Sequence, residues 1–324
     1  MQFVLPSPPF DANFTIHHQH NLYFIGSCFS ESIGEYFKDR KFVTSINPHG
    51  VIYNPISIAN SIHEIISGEI KEKSFYEKDE LVQSFNHHSS ISAKSTQDLG
   101  KLIVEKNTIS RNSLKNANIL FITLGTAWVY WHKELEKVVA NNLKAPALLF
   151  NRKLLSIKEI TSALQLLIEN LENFNPKLKI VFTVSPVRHA KQGLVENNRS
   201  KSRLLESIHT LKEQYKVVKY FPSYELVIDV LRDYRFYKKD LLHPNEQATD
   251  FIWEYLIGNC IREEDKILIQ KLNKLKAAFE HKLLQPKSDK SKSFIKAQLQ
   301  SIQEIENDYC YIDLKKEKDY FENL

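Results

Sequence analysis

The sequence predicts an α/β fold: a mainly parallel sheet covered by helices on both faces, followed by a C-terminal helical hairpin. Three observations predict it. Short apolar segments bounded by turn residues alternate with amphipathic segments of helical period. Each apolar segment ends in a small or polar motif, as expected where the strands of a parallel sheet run out into loops. Beyond about residue 260 the alternation gives way to Lys-rich helical patterns.

The first strand is Leu22–Ile25, which stops at Gly26 and Ser27, and Ser30 to Gly34 open a helix. A helix at Ser57–Ile66 places Ile58, Ile62, Ile65 and Ile66 on one side. Asn118–Leu124 (NILFITL) is the next strand. Ser156–Phe174 begins with Ser156 and Glu159 at the spacing of a capping box and carries an apolar stripe from Ile157 to Leu171. Leu178–Val184 (LKIVFTV) and Lys216–Tyr220 (KVVKY) complete the strands, with helices at Lys201–Tyr215 and Asn245–Ile257. Helices at Glu263–Leu284 and Phe294–Ile305, separated by the polar stretch Gln285–Ser293, make the hairpin. The chain thus divides into an α/β domain at 1–260 and a helical extension at 261–324, packed on or beside it.

Composition narrows the class. The 324 residues are 42% hydrophobic and 26% charged, ordinary for a globular protein. No stretch approaches the roughly 20 apolar residues of a membrane span. The opening MQFVLPSPPFDANF lacks a basic segment followed by an apolar one, so no signal peptide is predicted and a cytoplasmic address is expected. Cys28, Cys260 and Cys310 are widely spaced, which excludes a disulfide framework and a zinc knuckle. The net charge of +5 is spread along the chain and does not call for nucleic acid.

The motifs GSCF, GTAW, SPVRH and FPSYE follow the four strands and so gather at one edge of the sheet. Ser27, at the exit of a buried strand, is a candidate nucleophile. It needs a histidine to take its proton and a third group to orient that histidine. Asp240 and His243, in DLLHPN, supply both: three residues apart on a loop, the carboxylate can reach Nδ1 and leave Nε2 outward. Asn245 caps the following helix. Cys28 is read as core packing rather than as a thiolate. His87 and His88 are read as lining a substrate pocket and not as metal ligands, since adjacent residues seldom coordinate one ion. Arg188, beside His189, either binds a substrate carboxylate or phosphate or pairs with an acid. Asn197 and Ser200 read as helix caps, Asn47 and His49 as supports of the turn at Gly50, and His17, His18 and His20 as a solvated loop.

Together, FIGSCFSESIG, NPHGVIYNP, NHHSS, TLGTAWVY, SPVRHAKQGLVENNRSKSRLL and DLLHPN resemble, in order, the blocks of the GSCFA-domain family, a branch of the SGNH/GDSL-like hydrolases. The resemblance covers nearly the whole chain, the C-terminal hairpin included. It implies a three-layer α/β/α, flavodoxin-like fold. It also implies a serine esterase with Ser27 as nucleophile, His243 as base and Asp240 as its orienting carboxylate, and no metal or organic cofactor. The Ser27 and Gly50 N–H groups would hold the oxyanion. The wider superfamily's third-block asparagine is missing after Gly125, so Thr126, or Asn141 from VVANNLKAP, is the candidate further donor. In that last segment the family's Cys and His positions are Asn142 and Leu143 here. The implied substrate is a small-molecule or glycan ester, with neither nucleic acid nor a membrane span involved. Two alternatives stay open: an acyltransferase using the same triad, and a catalytically silent binding protein.

Overall fold

A computed structural model describes residues 5–10, 14–281 and 288–324. Five parallel strands form the central sheet: β1 (Asn21–Gly26), β2 (Val43–Ile46), β3 (Ile119–Leu124), β4 (Lys179–Val184) and β5 (Val218–Tyr220). Their order is β5-β4-β3-β1-β2. This is the doubly wound arrangement in which the order reverses beside β1, and ligands bind where it reverses.

The strands are apolar on both sides because helices cover both faces. Tyr23, Ile25, Leu120, Ile122, Ile180 and Phe182 point to one face. There they pack on α2 (Pro55–Ser67), α4 (Ile157–Phe174) and α5 (Leu194–Gln214). Leu22, Phe24, Ile119, Phe121 and Val181 point to the other, against α1 (Cys28–Asp39) and α6 (Glu246–Cys260). Between α2 and β3 the chain adds α3 (Thr96–Lys115), whose Leu114 joins the first core. The result is the expected three-layer α/β/α architecture.

The predicted strands lie within a residue or two of the observed ones. Ser156 and Glu159 form the capping box of α4, and Asn245 caps α6 by accepting the Ala248 N–H. Two three-stranded antiparallel sheets were not legible in the sequence. One comprises Phe75–Lys78, Leu81–Ser84 and Ser92–Ala93, the other Trp128–His132, Lys137–Val139 and Phe150–Leu154. Their strands are short and mix polar with apolar residues. Helix α5 starts upstream of its predicted beginning, so Asn197 and Ser200 lie inside it and cap nothing.

The C-terminal helices α7 (Glu263–Glu280), α8 (Asp289–Asp308) and α9 (Lys315–Glu322) share a small core of Leu272, Leu275, Ile302, Ile305, Leu314 and Phe321. The predicted helix end at 282–284 and the start of the polar stretch at 285–287 lie outside the described residues, as do 1–4 and 11–13 of the opening segment. The rest of the polar stretch is helical from Asp289, capped by Ser288, and α9 is an additional helix. Ile269 of α7 packs into the α1 layer. Asp265 accepts the backbone N–H of His18 at 3.0 Å, and Lys41 pairs with Glu317 at 2.8 Å. His18 is therefore buried rather than solvated. Among the described residues no helix is long and apolar enough to cross a membrane.

Candidate active site

The register brings the strand ends level. Gly26 pairs with Thr123, and Thr123 with Thr183, so Ser27, Gly125 and Ser185 leave the sheet close together. Gly26 has φ +133°, and a Cβ there would lie 2.2 Å from the Thr123 carbonyl oxygen. Only glycine permits so close an approach in that conformation. The Gly26 N–H donates to Asn47 Oδ1 at 2.9 Å, and its carbonyl accepts from Ile52 at 2.9 Å.

Ser27 follows as the N-cap of α1. Its Oγ accepts the Phe29 N–H at 3.3 Å, which leaves the hydroxyl proton free, and the residue is 1% exposed. One turn on, Ser30 Oγ bonds Thr123 Oγ1 at 2.8 Å and donates to the Ile25 carbonyl, tying α1 to the strands beneath. Cys28 is half-buried, and burial raises its thiol pKa above the usual value, which disfavours a thiolate.

The Asp240–His243 loop makes the carboxylate–Nδ1 contact read from its spacing. Asp240 Oδ2 lies 2.6 Å from His243 Nδ1, while Oδ1 accepts the N–H groups of Leu242 at 2.9 Å and His243 at 3.0 Å. Those bonds, the backbone one from His243 first, lower the carboxyl pKa to about 2. The loop is fastened to the segment after β4, where Arg188 N–H donates to the Leu242 carbonyl at 3.2 Å. The neighbouring His189 is pushed down to about 4 by burial, with Lys201 and His243 adding to the effect, so it is neutral near pH 7. Its ring stands edge-on to Tyr53 at 5.3 Å, and the Tyr53 carbonyl accepts from Gly125 at 2.8 Å and Thr126 at 3.1 Å. A relay of contacts thus runs from the DLLHPN loop through His189 and Tyr53 to the ends of β3 and β1.

The oxyanion donors inferred from the family blocks are otherwise engaged, except for the Asn141 side chain, which is held by its acceptor oxygen alone. Ser27 N–H donates to the Thr123 carbonyl at 3.1 Å, extending the strand ladder, and Gly50 N–H closes a turn on the Asn47 carbonyl at 2.7 Å. Thr126 Oγ1 pairs with Ser200 Oγ at 3.1 Å and accepts from Trp128 N–H. Asn141 Oδ1 takes the Leu143 N–H at 2.9 Å. The side-chain amide of Asn47, by contrast, is buried with its Nδ2 unpaired while its oxygen is fixed on Gly26.

His87 and His88 part company. His87 is buried, with Nε2 3.0 Å from Glu64 Oε1, and is not offered to a substrate. His88 is half-buried and lies over Gly50, where a Cβ would sit 2.3 Å from its own. Arg188 pairs with no acid among the described residues. Its guanidinium rests on the rings of Tyr237 at 5.0 Å and Tyr234 at 5.7 Å.

Sequence reasoning missed Lys201. It is 1% exposed, and its Nζ donates to the carbonyls of Gly125 at 2.7 Å and Ser185 at 2.6 Å, clamping the ends of β3 and β4. Burial pushes its ammonium down to about 7. Its place inside NRSKSRLL, among other polar helix residues, gave no signal of burial. Asn197 and Ser200, one turn or less away, also face inward: Asn197 Oδ1 accepts His189 N–H at 2.9 Å and Ser200 Oγ accepts Ala127 N–H at 2.7 Å.

A family model described as the GSCFA family matches residues 21–256, and one described as GSCFA domain protein, C-terminal domain, matches residues 272–324. No curated protein matches the chain.

Proposed function

The chain belongs to the GSCFA family, and from that premise we propose that it is a serine hydrolase of the SGNH type, cleaving a carboxylic ester through Ser27, His243 and Asp240. Ser27 Oγ attacks the ester carbonyl. His243 Nε2 takes the hydroxyl proton and delivers it to the departing alcohol, and water then resolves the acyl-enzyme. Asp240 holds Nδ1 protonated and supports the imidazolium that forms.

The observation that carries the reading is the 2.6 Å pairing of His243 with a carboxylate held ionised by two backbone N–H groups. Such a pairing orients a base, and both side chains stand exposed to solvent at the mouth of the loop, where a substrate can reach them. The oxyanion forms beside the Ser27 and Gly50 N–H groups, which trade their carbonyl partners for it when substrate enters, with Thr126 and Asn141 as further donors. Arg188, held by two tyrosine rings and free of an acid, takes a carboxylate or phosphate of the substrate. His88 and His189 line the approach.

The engaged N–H groups of Ser27 and Gly50 favour a second reading, a binding protein that keeps the pocket without turnover. A p-nitrophenyl acetate assay separates the two. Hydrolysis with an acyl burst, lost in Ser27→Ala, supports the hydrolase; equal, negligible rates in both proteins across an ester panel that includes carboxylate-bearing substrates support the binding protein.

A further inference from the structure

A second group of chemically capable residues lies behind the Gly50 loop, and the proposed ester chemistry does not use it. His49 follows β2, Glu64 is on α2, and His87 follows the first antiparallel hairpin. All three are buried, at 1%, 6% and 1% exposure. One ligand atom from each falls within 4.8 Å of the others.

We propose that His49, Glu64 and His87 bind a divalent first-row transition ion of the zinc class. Bond lengths of about 2.0–2.1 Å place ligand atoms of a tetrahedral ion about 3.3 Å apart. Glu64 Oε1 stands 3.0 Å from His87 Nε2 and 4.0 Å from His49 Nε2, distances that bracket this value. The Asn107 amide bridges the same two groups, with Oδ1 2.7 Å from His49 Nε2 and Nδ2 donating to Glu64 Oε1 at 3.4 Å, and a bound ion takes the place of that bridge. Two imidazoles and a carboxylate suit zinc and its neighbours better than magnesium or calcium, which prefer oxygen alone.

The surroundings fit a ligand set. His49 Nδ1 lies 2.8 Å from Ser61 Oγ, an outer partner that fixes the ring and directs Nε2 inward. A small cavity of about 30 Å³, lined by Asn60, His63, Glu64, Asn86 and Lys137 among others, reaches Glu64 from outside and gives an ion a way in. Lys137 is bonded to Ser74 and Asn86 and makes no ion pair with the carboxylate. The objection that adjacent histidines seldom share an ion does not arise, because only His87 turns inward; His88 Nδ1 pairs with Ser90 Oγ at 2.9 Å. An ion here ties the loop bearing Gly50 to α2 and to the loop bearing His88, and so stiffens one wall of the candidate active site.

The test uses the full chain, stripped with a chelator and titrated with Zn²⁺, with bound metal counted after dialysis and the thermal midpoint followed. The expected result is one Zn²⁺ per chain with a raised midpoint, loss of binding in Glu64→Gln and His87→Gln, and an affinity lowered about 10- to 100-fold in Ser61→Ala. His63→Ala, on the exposed side of the same helix, retains the ion. Should the ligand variants fail to fold, the wild type still decides. A wild-type chain that retains no Zn²⁺ and shows no thermal response, or a Glu64→Gln variant that binds as well as wild type, overturns the proposal and leaves a hydrogen-bonded triad. Neither result bears on Ser27.

Discussion

Asp240 and His243 are locked together twice: by the 2.6 Å contact of carboxylate and imidazole and by the backbone N–H of His243 donating to the same carboxylate at 3.0 Å. The second bond fixes the first, since the histidine's own backbone sets the distance its ring must span.

Asp240→Asn therefore tests the pairing without emptying the site. An amide donating to Nδ1 stabilises the wrong tautomer, so kcat for ester hydrolysis should fall by about 10²–10⁴-fold with KM little changed. The folded-state pKa of about 2 lies below the unfolded value, so Asp240 contributes stability above about pH 4 that is lost as pH falls towards 2. Acid titration of the folded protein, followed by fluorescence, should show this loss in wild type and not in Asp240→Asn.

Ser27 carries both chemistry and a cap. Ser27→Ala should abolish turnover and also cost about 0.5–2 kcal/mol, because the Phe29 N–H loses its acceptor. Ser27→Asn, which restores a capping oxygen, should recover most of the stability and none of the activity. Urea denaturation of the two variants beside an ester assay separates the roles.

Lys201 predicts a pH dependence of the same sense at the alkaline end of the range. Its folded pKa of about 7 lies below the unfolded value, so between about pH 7 and 10 the unfolded chain binds more protons and stability rises with pH. Lys201→Met should flatten that rise. It also leaves the Gly125 and Ser185 carbonyls without their donor, at roughly 1–3 kcal/mol each. Urea midpoints at pH 7 and 9.5 check both.

Arg188 sets the substrate preference in this account. Arg188→Met should raise KM for an ester bearing a carboxylate by about 10- to 100-fold, the worth of a charged hydrogen bond, and leave p-nitrophenyl acetate hydrolysis within a few-fold of wild type. Equal effects on both substrates would assign Arg188 to holding the Asp240–His243 loop through Leu242 instead.

Much of this was legible because it depends on local pattern. Buried parallel strands write themselves as apolar runs, and the spacing of Asp240 and His243 fixes a contact that needs no distant part of the chain. What was hidden depends on partners far away in sequence. Lys201 reads as a surface residue until the carbonyls of Gly125 and Ser185 are seen to enclose it. His49 and His87 acquire meaning only when the fold sets them around Glu64. β2 escaped notice because Val43–Ile46, on the sheet edge, has no need to be apolar throughout. The oxyanion donors were named from family blocks, and a block cannot reveal that the Ser27 N–H already serves the Thr123 carbonyl.

Labelling with a fluorophosphonate probe, followed by mapping of the modified peptide, tests the central claim most directly. The account predicts one adduct on the peptide containing Ser27, absent from Ser27→Ala and strongly slowed in His243→Ala. An unlabelled wild-type protein, an adduct on another residue, or labelling indifferent to His243 would contradict it.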